Sequence, residues 1–184
     1  MSKIILDDSE VEKIAGVLSK LGLDVYSVII GITEYAVMKY AKSKGYKKIL
    51  SGIGSDELFF GFKKHRDVPP DRLASFREER LNYLGIFDLL RLRKMSEDLG
   101  IDIGFPYLDE EVVGYALNSE INAKADGIYD KRVLRDLGRR LGLSELLSER
   151  KKKAMQYGSG VTKSLERLLK KHRLKNVGEF IKNI

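Results

Sequence analysis

Apolar residues recur along the first quarter of the chain with helical spacing. Val11, Ile14, Ala15, Leu18 and Leu21 lie three and four apart, so SEVEKIAGVLSKLG reads as an amphipathic helix. Ser9 or Asp8 can cap it, and Gly22 closes it. The next stretch, DVYSVIIGITEYAVMKYAKSKG, is nearly all apolar from about Val25 to its end at Gly45 and reads as a buried crossover helix. Short apolar runs flank this pair. KIILDD (3–8) reads as a buried strand leading into a helix, and YKKILSG (46–52) as a second, parallel strand. Residues 3–51 then form a wound strand–helices–strand unit.

After Phe62 the period becomes helical throughout. From Pro70 to Leu99 the core candidates are Leu73, Phe76, Leu81, Leu84, Phe87, Leu90 and Met95. DIGFPYLD interrupts as an extended loop, because the residue before Pro106 is biased away from helix. Helices resume in DEEVVGYALN, DKRVLRDLGRRLG and VTKSLERLLKKH. The expected class is α/β, predominantly helical, with about two parallel strands and a helical C-terminal region. An α/β part over 1–62 gives way to helices over 63–184. Two parallel strands alone do not make a stable sheet face, so a missing sheet partner is expected.

Composition narrows the picture. Of the 184 residues, 43% are apolar and 33% charged, and no apolar run approaches the roughly 20 residues that cross a bilayer. The N-terminus turns acidic after three apolar residues, unlike a signal peptide. A soluble cytoplasmic protein is expected. With no cysteine and two distant histidines, His65 and His172, disulfides, thiolate chemistry and a zinc site are set aside. Abundant Lys, Glu and Ile without Cys or Trp point to a thermophile. The net charge of +7 is concentrated in the last third, where it can face nucleic acid or a polyphosphate. No nucleic-acid module accompanies it, which disfavours the first.

The chemistry-bearing stretch is KILSGIGSDELFFGF, Lys48 to Phe62. A strand that runs into a glycine turn and then a helix start offers bare backbone N–H groups to an anion. Asp56 near that start can hold Mg²⁺, which polyphosphates need. The alternative is a tight left-handed turn before an acidic helix start. FFGF reads as core packing.

Three further motifs follow in order: GIDIGFPYLDEEVV from Gly100, YDKRVLRDL from Tyr129 and RKKKAMQYGSG from Arg150. With LSGIGSDEL they resemble the synthetase domain of the asparagine synthetase family, PP-loop ATP-pyrophosphatases whose motifs run SGxGxDEL, GxExRxPFLD, KxxLR and a basic RKK segment. The form KKAMQYGSG is most similar to the shorter asparagine synthetase-related proteins. The resemblance implies an adenine-nucleotide alpha-hydrolase-like fold of which this chain carries the C-terminal part, with ATP and Mg²⁺ as cofactors. It implies that Ser51, Gly52 and Gly54 pack against the nucleotide and that Asp56 binds the metal. Lys131 would reach the pyrophosphate, with Arg135 one helical turn away. Asp102 and Asp109 match acids of the substrate segment, although Asp109 reads equally as a helix N-cap. The basic run from Arg150 binds phosphate or forms a solvated loop.

The chain also departs from the family pattern. The SGGxDS motif that wraps the pyrophosphate is absent, as is a glutaminase domain with its N-terminal cysteine. Ile53 stands where classical enzymes have a glutamate, and Gly104 where they have an arginine. Two functions remain open. One is a ligase that adenylates a carboxylate once a missing N-terminal half is supplied, by a partner chain or a longer protein. The other is an inactive homologue acting as a binding or regulatory protein, in a homodimer or with a partner.

Overall fold

The computed structural model of the protein describes residues 4–118, 131–150 and 155–184. In chain order these form α1 (Asp8–Lys20), α2 (Val25–Ser43), β1 (Lys48–Leu50), the single turn α3 (Ser55–Leu58), α4 (Leu73–Tyr83) and α5 (Leu89–Leu99). Then come β2 (Asp102–Gly104), α6 (Glu110–Asn118), α7 (Arg132–Arg140), α8 (Glu145–Ser148), α9 (Met155–Gly158), α10 (Val161–His172) and α11 (Val177–Lys182). The protein is mostly helical, with two strands paired in one sheet. Asp102 donates its N–H to the Lys47 carbonyl and Ser51 to the Gly104 carbonyl, both at 2.9 Å, a parallel ladder.

One of those strands is not the expected one. Lys3 lies outside the described residues, and residues 4–7 of KIILDD are irregular, with Ile5 72% exposed. A strand exists through its ladder, and among the described residues the sheet pairs β1 with β2 alone. The run serves helix α1 instead. Asp7 accepts the Glu10 N–H at 2.8 Å while the Glu10 carboxylate accepts the Asp7 N–H at 3.2 Å, a capping box one residue ahead of the expected cap. The crossover joining the parallel strands therefore runs through 51–101 rather than 9–47. Strand β2 falls in the stretch read as a loop.

Helices α4 and α5 meet in a π-helical turn, Leu84–Asp88. Its extra residue rotates the following face by about 100°. Leu73, Leu84 and Met95 are buried as expected, but Phe87 and Leu90 turn out to solvent and Leu92 and Leu99 replace them inside.

The chain divides into two compact units: residues 1–49, 87–103 and 153–184, and residues 50–86 and 104–152. In the first, the glycine at 31 lets α1 and α5 close on α2. A Cβ there would stand 3.1 Å from Leu18 Cδ1 and 3.4 Å from Met95 Sδ. Arg91, 2% exposed, donates Nε to Glu34 at 2.8 Å and a terminal nitrogen to Asp88 at 2.6 Å. Burial pushes the Glu34 carboxyl above the ordinary carboxylate range, against the opposing pull of Arg91.

The second unit packs Leu81, Tyr107, Val112, Val113 and Leu134 around a small core of Leu58, Phe59 and Ala116. Buried Arg77 donates to the Ala116 carbonyl at 2.7 Å, in the last turn of α6, where helix carbonyls take partners from outside the helix.

Candidate functional site

Beyond β1 the chain turns through Ser51–Gly54 into α3. Ser51 remains in the sheet through its N–H, and its Oγ accepts the Ile53 N–H at 3.3 Å. Ser55 Oγ donates to the Gly52 carbonyl at 2.7 Å and closes the turn. Gly54 has φ +91°, and a Cβ there would stand 2.5 Å from Leu108 Cδ2, so the fold itself demands glycine. A Cβ at Gly52 would meet nothing within 4 Å. That backbone lies open from outside, as a phosphate cradle requires. The helix-dipole element of the expectation contributes little, because α3 is one turn long.

The two adjacent acids of α3 diverge. Glu57 is buried at 4% exposure. Asp56 keeps a quarter of its side chain exposed, and its Oδ1 lies 3.0 Å from Lys131 Nζ. Lys131 Nζ also donates to Ser55 Oγ at 2.8 Å. Lys131 precedes α7 with a left-handed backbone, φ +60°, a conformation that is strained for a non-glycine residue. Residues distant in sequence thus meet at the glycine turn.

Other expected site residues take different places. Arg135 starts one turn along α7, its N–H bonded to the Lys131 carbonyl at 3.0 Å. Its guanidinium donates to the carbonyls of Ser148 and Arg150, tying α7 to the end of α8. Asp109 accepts the Glu111 N–H at 3.0 Å and caps α6, the structural alternative raised by the sequence. Asp102, in the first unit, is exposed at the start of β2. Of the basic run from Arg150, residues 151–154 lie outside the described residues, as do Tyr129 and Asp130 of the third motif.

Two members of the cluster were not singled out from the sequence. Ser55 stands inside the quoted motif, where only a contact to Lys131 distinguishes it from any serine at a helix start. Gly61, in the FFGF run read as packing, lies against the pair itself. A Cβ there would stand 1.9 Å from Asp56 Oδ1 and 2.6 Å from Lys131 Cε. No local pattern marks it, because its constraint comes from where the fold sets two side chains, Asp56 just before it and Lys131 seventy residues on.

The donor set suits Mg²⁺ carried on a polyphosphate. Asp56 offers hard carboxylate oxygen, the open turn at Gly52 offers backbone, and Lys131 offers an ammonium for phosphate oxygens. Among the described residues no group of three or more His, Cys, Asp or Glu side chains could form a dedicated metal cage. Magnesium held by one carboxylate plus substrate phosphates needs none. Among the described residues no helix is long and apolar enough to cross a membrane.

The sequence profile of asparagine synthase matches residues 9–79 and 69–181. A Methanocaldococcus jannaschii protein provisionally named glutamine-hydrolyzing asparagine synthetase 1 is 28% identical over 98% of this chain and 41% of its own length. Asparagine synthetase domain-containing protein 1 of Gallus gallus is 34% identical over 72% of the chain and 22% of its own length. A glutamine-hydrolyzing asparagine synthetase of Brassica oleracea is 30% identical over 85% of the chain and 28% of its own length. The chain therefore spans less than half the length of each of these relatives.

Proposed function

Because the chain belongs to the asparagine synthase family, we propose that it is the C-terminal part of a cytoplasmic PP-loop ligase that adenylates a carboxylate with ATP and then forms an amide. The meeting of Asp56 and Lys131 at an open glycine turn carries this reading. Magnesium, when bound with ATP, supplies neutralisation of the phosphate charge. Asp56 is the carboxylate that would hold it. Ser51 and the bare backbone at Gly52 line the nucleotide, and Gly54 fixes the bend. The Lys131 ammonium, now shared by Asp56 and Ser55, would meet negative charge that grows as pyrophosphate leaves. Arg135 acts at one remove by holding the segment that leads into the basic run. Asp102 and Asp109 stay on the substrate side of the proposal.

The chain lacks SGGxDS, so the proposal includes an N-terminal half on a partner chain or in a longer protein. Alone, the chain is expected to bind Mg-ATP at millimolar strength or weaker, about −4 kcal/mol. Ile53 and Gly104, which replace an acid and an arginine, favour a second reading: an inactive homologue with a regulatory role.

ATP–pyrophosphate exchange separates the two readings when an SGGxDS-bearing half is supplied in trans. Asp56→Asn should abolish exchange, and Lys131→Ala should lower it about a hundredfold, or ~3 kcal/mol. Arg167→Ala is the control, since Arg167 pairs with Asp8 in the other unit. If no such half restores exchange, or Asp56→Asn matters no more than the control, the regulatory reading replaces the ligase.

A further inference from the structure

We infer that Gly61 is a positioning residue for the Asp56–Lys131 pair, an assignment whose catalytic meaning rests on the reading above. No methyl group fits between the Gly61 Cα and the pair, because a Cβ would overlap Asp56 Oδ1 at 1.9 Å and crowd Lys131 Cε at 2.6 Å. Both clashing atoms are on side chains. A residue at 61 would therefore push the carboxylate and the lysine stem aside rather than break the fold.

The corner that carries Gly61 is held firmly enough to matter. Phe60, immediately before it, has a left-handed backbone at φ +53°. Such conformations persist only where the surroundings enforce them, and they gather at functional sites. Here the Phe60 ring is 3% exposed, 5.1 Å from the His65 ring and 5.7 Å from the Arg77 guanidinium. The Gly61 N–H bonds the Asp56 carbonyl at 2.9 Å, and the Phe62 N–H reaches His65 Nδ1 at 3.1 Å. The wall opposite the pair is fixed, so the pair occupies the space that glycine leaves.

The test is competitive amine labelling of the full chain with a trace acylating reagent, mapped by mass spectrometry, with exposed Lys20 as internal reference. Asp56→Asn should raise Lys131 labelling relative to Lys20 about fivefold, the scale of a partly exposed ion pair. Gly61→Ala should raise it equally, and the double variant should add nothing further. Wild-type labelling in a folded Gly61→Ala protein overturns the assignment, and so do additive effects. If Gly61→Ala does not fold, Gly61→Ala/Asp56→Ala should fold, because the tightest clash is with the carboxylate and the lysine stem can then swing aside; failure of that rescue also overturns it. A parallel arm adds Mg-ATP together with the SGGxDS-bearing half. Coupled labelling without nucleotide protection of Lys131 sinks the ligase reading and leaves the positioning role. Protection without coupling does the reverse.

Discussion

Two ion pairs, one in each unit, have opposite characters. Arg91 lies 2% exposed between Glu34 and Asp88, deep among helices whose packing it completes. Asp56 and Lys131 each keep about a quarter of their side chains in solvent, at a turn whose neighbours are strained. Left-handed backbone outside glycine shows the same split. Arg173 adopts it at the end of α10, an ordinary way to finish a helix, whereas Lys131 pairs with Asp56 and Phe60 precedes the glycine that lies against that pair. One pair holds structure together, and the other, on the proposed function, stands where a ligand would take its place.

The largest expected effect tests the structural pair. Arg91→Leu should remove about 3–5 kcal/mol from unfolding in urea, because it strands a buried acid, and adding Glu34→Leu should recover most of that loss. A small cost for the single variant would erase the contrast. In the second unit, Arg77→Leu should cost about 1–3 kcal/mol, since it removes a buried hydrogen bond from a charged group to the Ala116 carbonyl. Lys131→Ala should cost about 1 kcal/mol or less in the same assay while exchange collapses, the signature of a pair that serves chemistry more than stability. A loss of several kcal/mol would place it with Arg91.

The smallest effect concerns pH. The hydrogen bond from Arg167, with that from Ser164, holds the Asp8 carboxyl down at about 2 from its ordinary 3.8. A depressed carboxylate stabilises the fold above its unfolded pKa and loses that contribution as pH falls through the folded value. Melting temperature should therefore drop between pH 4 and pH 2 more steeply in the wild type than in Asp8→Asn. Parallel curves would show that this tie between α1 and α10 contributes nothing.

The sequence made the helices legible and left the sheet half read. Val11, Ile14, Ala15 and Leu18 announce α1 because periodicity survives wherever a helix buries one face. KIILDD carried strand composition without a ladder, and Asp102–Gly104 found a ladder without a readable pattern. Strand identity is a property of pairs, and pairs are invisible to a local window. Phe87 and Leu90 misled for a related reason, since a π-turn shifts phase without altering composition. At the site, motif order pointed to Asp56 and Lys131, and the fold brings the two together. Gly61 was hidden because its reason for being glycine is the folded position of the Asp56 and Lys131 side chains, which no local pattern records.

Gly52 and Gly54 are the same letter recording unlike histories. Position 54 is closed to drift by the fold: a left-handed backbone and Leu108 forbid any side chain whether or not nucleotide ever visits. Position 52 has ordinary backbone and empty surroundings, so alanine there leaves folding untouched. A lineage that abandoned its ligand would keep glycine at 54 and lose it at 52 by chance. If Gly52 faces nucleotide as proposed, the occupant of position 52 in descendants of this chain would be a fossil record of binding, while its neighbour two residues on records only architecture.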